Sequence, residues 1–393
     1  MATASAAVRH KKRKKRAHLY YDYELMISVI FLCLFGLIMI YSASSYTAQL
    51  TYEKSWYYVQ RQAVFELVGF AAMLVVSKLD YHRLRKWAVP LYFLCYVLMF
   101  LLLFTPLGVS SHGKKRWLRV GVQFQPTELI KIALILLTAT ILDNLGTKIN
   151  DWRRALRLIL YCMPLILLVT KNNLSSGIII AGIIFIMLFV VVEKSRWFYL
   201  LFGLMLAMLF LAPKLSTLLV RIGLLKEYQL GRILVWVDPV KYAKSGGYQV
   251  LQGLYAVGSG GFFGKGLGQS LQKLGFVPEA QNDMIFSILC EELGLFGAFC
   301  MIAMFLFLIF RFVKIAQNAP DLFGSMLVIG IMAQIAIQVI LNIAVVANVI
   351  PNTGVTLPFI SYGGTSVALL LFEMGIALSV SNQISPPSEN REE

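Results

Sequence analysis

Long apolar runs alternate with short polar connectors through most of the chain. Their spacing predicts helices at residues 24–45, 62–79, 87–105, 127–146, 156–171, 175–193, 197–213, 284–311, 322–346 and 363–382. About 20 helical residues suffice to cross the hydrocarbon of a bilayer. The pattern therefore predicts an all-α, polytopic integral membrane protein with about ten transmembrane helices. The short alternating segments of a membrane β-barrel do not dominate anywhere. Residues 24–383 read as one transmembrane domain, between an N-terminal tail (1–23) and a short polar C-terminal tail (384–393). The fifth and sixth helices are short and are joined by a tight polar turn, Lys171-Asn172-Asn173.

Composition agrees: 58% of the 393 residues are hydrophobic and the mean hydropathy is +0.72, which excludes an ordinary soluble domain. The net charge of +16 is unevenly placed, with seven basic residues in RHKKRKKR at 9–16. Ahead of a first membrane helix, this run reads as a cytoplasmic orientation signal that touches anionic lipid, in preference to a nucleic-acid arm. A cleaved signal peptide is not expected, because the apolar run at 26–41 is longer than a typical signal core. The short loops at 80–86 (DYHRLRK), Lys148–Arg157, 193–196 (EKSR) and Arg311–Lys314 are all basic. By the positive-inside rule these face the cytoplasm, and an even helix count puts both termini there. The five cysteines lie in apolar stretches without paired spacing, so they read as packing residues and not as a disulfide framework or zinc site.

The opposite face carries larger features. These are the loop Thr105–Gln125, a stretch of about seventy residues from Pro213 to Asn282, and the loop ending in PNTGVTLPFISYGG. Polar, glycine-rich and aromatic residues gather in them, which predicts a site on the extracytoplasmic side. Seven glycines lie between Gly253 and Gly268. A nucleotide-binding reading of GSGGFFGKGLG fails for want of GK[ST] and a preceding strand; tight turns lining a groove fit better. The stretch from Gln249 to Val257 suits an amphipathic surface helix.

Several charged residues stand inside or beside apolar runs, where they are costly. Asp283 precedes the eighth helix. It serves either as a helix N-cap or as a general base at the membrane surface, and one carboxylate can do both. Glu291 and Glu292 lie eight and nine residues later, about 12 to 14 Å further along the helix axis. They either anchor helix contacts or face a wet cavity. Glu128 and Lys131, spaced i, i+3 behind Pro126, either form a structural ion pair, or Lys131 holds the phosphate of a lipid-linked substrate while Glu128 orients it or helps to bind a metal. The segment Lys114-Lys115-Arg116-Trp117 combines cations with an aromatic ring, suited to gripping a diphosphate and a sugar face or to an interfacial belt.

The segments GKKRWLRVGVQFQPTELIK, GYQ…GSGG…GKGLG, PEAQNDMIFSILCEELG and PNTGVTLPFISYGGTS, in this order, resemble the SEDS family (shape, elongation, division and sporulation) over residues 20–383. The resemblance implies a peptidoglycan glycosyltransferase of the bacterial plasma membrane that polymerises lipid II, a disaccharide-pentapeptide on undecaprenyl diphosphate. The family's essential aspartate falls on Asp283. Its RW pair falls on Arg116 and Trp117, and its QPSE-x-x-K on Gln125, Pro126, Thr127, Glu128 and Lys131. The substrate-binding set is therefore Arg116, Trp117, Glu128, Lys131 and Gln125, with Lys115 and Glu292 beside it. The resemblance also implies a divalent cation (Mg or Mn) without an organic cofactor. No ligand for the ion declares itself in the sequence. The implied partners are a class B penicillin-binding protein acting as transpeptidase and other division or elongation proteins, with no nucleic acid. Two departures stand out. The family's QPDLGT reads KNNLSSG, which puts Asn173 where a carboxylate is usual, and Glu373 in the last helix belongs to none of these motifs. The segment TGVTLPFISYGGTS sides with the division and sporulation branch. Two other classes remain as alternatives: a lipid II flippase, and a non-catalytic division scaffold.

Overall fold

The computed structural model describes residues 21–384, apart from 112–113, 193–195 and many positions between 197 and 226. Its α-helices are α1 (Tyr23–Tyr52), α2 (Tyr57–Lys78), α3 (Ala88–Phe104), α4 (Pro126–Leu145), α5 (Trp152–Asn172) and α6 (Leu174–Val191) in the first half of the chain. In the second half they are α7 (Glu227–Val237), α8 (Tyr248–Ser259), α9 (Ile285–Asn318), α10 (Leu322–Val346) and α11 (Thr365–Ser381). Among the described residues, eight helices are long and apolar enough to cross a membrane, and α11 is a shorter apolar helix. The protein is multi-pass. Nine of the ten sequence-predicted helices coincide with α1–α6 and α9–α11, with α1 and α2 extending toward each other over their connector. The predicted helix at 197–213 falls largely outside the described residues, and so do the basic run at 9–16, the loop positions 193–195 and the C-terminal tail from 385.

Local chemistry sets several helix starts. Asp22 accepts from the Leu25 N–H at 2.8 Å and Asp321 from the Gly324 N–H at 2.8 Å, so each caps the helix that follows. Asp151 and Asn173 do the same for α5 and α6, and Pro126 stands at the first turn of α4. Between helices, small residues allow close approach, as expected where lipid removes the hydrophobic drive for association. A Cβ on Gly375 of α11 would lie 2.8 Å from the Met73 carbonyl of α2, and one on Gly36 of α1 would lie 2.3 Å from the Phe359 carbonyl. That second contact brings the loop 351–364 into the bundle. There Leu357, Phe359, Ile360 and Ser361 are buried and the irregular backbone is shielded by protein.

The loop Thr105–Gln125 is not a plain connector. It folds into a three-stranded antiparallel sheet, β1 (Gly108–Ser111), β2 (Lys114–Val120) and β3 (Val122–Phe124). Gly121, at φ +73, makes the tight reversal that pairs Val120 with Val122. Lys115 on β2 turns back to α3, donating to the carbonyls of Leu103 and Thr105 at 3.2 and 3.0 Å. It thereby satisfies the open C-terminus of that helix.

Helix α9 is broken at Gly294 (φ +67, ψ −166). Two carboxylates stand just ahead of the break, each fully buried and each matched to a different lysine. Glu291 meets Lys265 at 2.6 Å and accepts from the Leu271 and Gln272 N–H groups and the Ser270 hydroxyl. Glu292 meets Lys273 at 2.8 Å and accepts from Ser42 of α1. Adjacent positions on a helix differ by about 100°, so the two pairs fasten α9 in two directions. Both carboxylates anchor α9 through these pairs, and Glu292 does not line the cleft described below. At the other end of the same helix, Arg311 is paired with Asp22 at 2.7 Å and Glu24 at 2.5 Å.

Breaking one buried pair leaves an uncompensated charge, a cost of about 3–5 kcal/mol. Lys273→Met is expected to lower the unfolding midpoint of the purified protein in detergent. The double variant Lys273→Met with Glu292→Gln is expected to recover most of that loss, because no charge is then stranded.

Candidate functional site

The ends of α2, α4, α6, α10 and α11 that lie away from the Asp22–Arg311 cluster, with the segment 278–283 that leads into α9, surround a cleft of about 1140 Å³. The β-sheet, α7, α8 and the loop 352–356 complete its walls. Five sequence-predicted residues line it together with Asp283: Arg116, Trp117, Gln125, Glu128 and Lys131. Lys115 and Glu292 do not. The sheet and the i, i+3 turn of α4 bring together residues that are distant along the chain.

Asp283 lies one residue before the N-cap of α9. Its side chain does not cap that helix; Met284 occupies the cap position, with no side-chain bond. The carboxylate instead turns into the cleft wall, 8% exposed, where Gln249 of α8 donates to Oδ1 at 3.2 Å. Gln249 is itself held by Asn352, whose amide donates to it at 3.2 Å, and Arg232 of α7 donates to the Asn352 carbonyl at 2.9 Å. Asn342 of α10 fixes the backbone by donating to the carbonyls of Asp283 and Val355, both at 2.8 Å. Gly354 passes beside the carboxylate: a Cβ there, at φ +68, would lie 3.9 Å from Oδ2. Burial pushes the Asp283 carboxyl up to about 6, with the charge of Glu279 adding to the rise and Arg232 and Gln249 opposing it. A carboxyl so placed exchanges its proton near neutral pH, which suits a general base.

The cleft is rich in guanidinium groups. Arg61 of α2, Arg119 of β2 and Arg232 of α7 are exposed to it, alongside the half-buried Arg116 and Trp117. Such groups match phosphate oxygens in a bidentate manner. At the floor, Lys131 is 1% exposed and sits 2.9 Å from Glu128 Oε2. That approach is an ion pair by distance but is not aligned as a hydrogen bond, so the ammonium protons find no acceptor among the described residues. Below it, Glu373 of α11 is buried and receives both oxygens' hydrogen bonds from Gln334 of α10, at 3.2 and 3.0 Å. Lys131 and Glu128 are the charges that act on it most strongly. Glu373 therefore lies buried within electrostatic reach of the Glu128–Lys131 pair without itself lining the cleft, a placement its sequence context did not suggest. Asn173 also lines the cleft, as the N-cap of α6. Here the position carries a neutral cap in place of a charge.

Sequence reasoning missed Arg61, Arg119, Arg232, Gln249, Asn352 and Gln338 as cleft residues. Their signals were present but diffuse: an arginine in GRILVWVDP, a glutamine in GYQ and an asparagine in PNTG look like ordinary loop polarity until the fold juxtaposes them. As for the implied divalent cation, no three His, Cys, Asp or Glu side chains converge among the described residues. They do not make an all-protein cage, and no step below passes through a metal.

The fold and cleft define a class: a membrane-spanning helical bundle with a polar, arginine-rich cleft at one face and a buried carboxylate in its wall. Residues 23–385 match the family model for FtsW, RodA and SpoVE, described as cell cycle protein, and the chain belongs to this family. It is 38% identical over 363 residues to stage V sporulation protein E of Bacillus subtilis, covering 92% of this chain and 96% of that one. It is 36% identical over 367 residues to a probable peptidoglycan glycosyltransferase FtsW of Geobacter metallireducens, covering 93% and 95%. Among solved structures it resembles a chain of a peptidoglycan synthase complex in which polymerization and crosslinking are coordinated (TM-score 0.74, 26% identity, 93% and 98% covered). It also shares the fold of Thermus thermophilus rod shape determining protein RodA (TM-score 0.65, 24% identity, 93% and 98% covered).

The Gln249 amide bonds to the ionised form of Asp283, and hydrogen bonds to charged groups are worth about 1.5–3 kcal/mol. Gln249→Leu is therefore expected to move the Asp283 titration upward from about 6, by about one pH unit or more. Infrared difference spectra of protein carrying isotope-labelled aspartate read that shift.

Proposed function

We infer that this protein is a peptidoglycan glycosyltransferase that polymerises lipid II into glycan strands. The observation that carries the reading is Asp283. It is a carboxylate whose midpoint of ionisation is raised to about 6, so that it is mostly ionised at neutral pH yet a stronger base than an ordinary aspartate, and it is held by a relay of Gln249, Asn352 and Arg232 in the wall of a large arginine-rich cleft. The extensive identity to relatives named probable peptidoglycan glycosyltransferase supports the substrate class.

In this reading the ionised Asp283 takes the proton from the 4-hydroxyl of the acceptor's terminal GlcNAc. That oxygen attacks the anomeric carbon of the donor, a new C–O bond forms, and the bond to undecaprenyl diphosphate breaks with its electrons leaving on the diphosphate. The departing charge falls among Arg116, Arg61, Arg119 and Arg232, whose preplaced positive charge lowers the barrier. Lys131, with unsatisfied donors at the floor, adds a cation within the same cleft. Trp117 offers an apolar face to a sugar ring. Glu128 holds Lys131 in place. Where required, the divalent ion would come with the substrate diphosphate, the usual arrangement for Mg²⁺, which is bound through one or two carboxylates plus phosphates.

The basic segments at 80–86, 148–157 and 311–314 lie at the helix ends opposite the cleft. The positive-inside rule then puts those ends in the cytoplasm and the cleft outside it. A class B penicillin-binding protein is the proposed partner, by analogy with the synthase complex that this chain resembles.

Two outcomes test the reading. Asp283→Asn is expected to lower lipid II polymerisation at least 10²-fold, in line with the loss of a general base, while unfolding midpoint and lipid II binding are retained. Glycan ladders on a gel read the activity. Movement of labelled lipid II across vesicles without any ladder would instead make the protein a carrier. For wild type, the rate is expected to rise with pH through about 6, because the base works only when ionised. A rate that stays flat from pH 5 to 8 removes Asp283 from that role.

A further inference from the structure

Residues 260–276 read in the sequence as part of an aqueous loop, but their contacts give them another setting. Their backbone is built into α9 at its break. The Lys265 and Gly266 N–H groups donate to the carbonyls of Glu291 and Glu292 at 3.0 and 2.9 Å. The Leu295 and Phe296 N–H groups donate back to Gly261 and Phe262, both at 3.0 Å. The approach is too close for side chains: a Cβ on Gly264 would lie 2.2 Å from the Glu292 carbonyl oxygen, and one on Gly260 would lie 1.9 Å from that of Cys290.

The charges of the segment also turn inward, Lys265 to Glu291 and Lys273 to Glu292. What turns outward is apolar: Phe262, Phe263, Leu267, Leu271, Leu274 and Phe276 are between 42% and 76% exposed. They continue the lipid-facing strip of α9, where Phe296 and Phe299 are 54% and 68% exposed and the Phe263 and Phe296 rings lie 6.4 Å apart. Height agrees. Gly294 is seventeen residues from Arg311, about 26 Å along the helix, which is close to the roughly 30 Å of bilayer hydrocarbon. The break therefore sits at the boundary of the hydrocarbon on the side of the cleft.

We propose that residues 260–276 form a wedge seated in the bilayer leaflet on the cleft side, its aromatic and leucine edge resting on acyl chains. Backbone without helical pairing is tolerated at such depth only where protein satisfies it, and the broken turn of α9 does this. An apolar edge of this size would be an association hazard in water and is a normal interfacial anchor in lipid. The occupant is lipid because the edge is continuous with the outer face of a membrane-spanning helix and carries no unpaired charge. The wedge fixes the leading half of α9, and with it the chain that presents Asp283, at the membrane surface. This inference rests on the membrane-spanning fold and not on the glycosyltransferase reading.

The test uses the full chain in phosphatidylcholine–phosphatidylglycerol nanodiscs. Cys300, the one exposed cysteine of the five, is first changed to Ser. Spin labels are then attached to Phe263→Cys and Leu267→Cys, with Phe299→Cys as the lipid-facing control and Glu279→Cys as the cleft-rim control. Collision with oxygen relative to a water-soluble nickel chelate is expected to match position 299 at both sites and to exceed position 279 several-fold. A ratio equal to that at 279 overturns the proposal by placing the segment in water. Low access to both reagents overturns it by showing a protein neighbour. On the unsubstituted protein, a hydrocarbon-soluble diazirine is expected to label peptides within 260–276. Labelling of the Phe299 peptide alone would sink the inference without any variant having to fold.

Discussion

In hydrocarbon, and at its boundaries where packed helices exclude water, a carboxylate, an ammonium or an unpaired amide must find its partner within the chain. Much of this architecture follows from that requirement. Glu291 and Glu292 are matched to Lys265 and Lys273, and Arg311 to Asp22 and Glu24. The Gln62 side chain accepts from the amides of Gly363 and Gly364 at 3.2 and 3.1 Å, which ties the turn before α11 to α2. Irregular backbone enters the bundle at 351–364 and at the break in α9, and packed protein covers it in both places.

The cleft is where the same requirement is relaxed. Lys131 has an ion-pair partner but no acceptor for its protons, and the side-chain oxygens of Thr127, Gln334 and Gln338 also lack hydrogen-bond partners. They stand on α4 and α10, and Lys131 and Gln338 among them line the cleft itself. Polar capacity left unused next to a large opening is what a polar substrate would take up. Asp283 occupies the rim of this region. Its burial makes its charge costly, while the Gln249 relay keeps ionisation within reach of neutral pH. In the proposed reaction the separation of roles is spatial: the arginines of the wall would surround the leaving group, and Asp283 would face the acceptor.

The sequence was most legible where one residue's neighbours along the chain decide its role. Apolar run length predicted nine of the described helices. Asp22, Asp151, Asn173 and Asp321 cap helices from within a few residues, and Glu128 and Lys131 meet across one helical turn. Legibility failed where the deciding partner is remote. Lys115 looked like part of a diphosphate grip, yet the sheet directs it to the end of α3. Glu292 looked like a substrate contact, yet its partners come from a loop some twenty residues earlier and from α1. Glu373 had no reading until α4 and α10 were packed against α11.

The amino-acid order by itself determined that the chain crosses a membrane many times, which loops are basic, and which short motifs gather at one face. These properties depend on transfer from water to lipid and on contacts within a helical turn, and both are summed locally. Only the tertiary structure decided which charges neutralise one another and which remain in the cleft, that the loop after α3 is a sheet, and that α9 breaks to receive a glycine-rich segment. Such outcomes depend on pairs of residues far apart in the chain, and their energy exists only once packing has excluded water from between them.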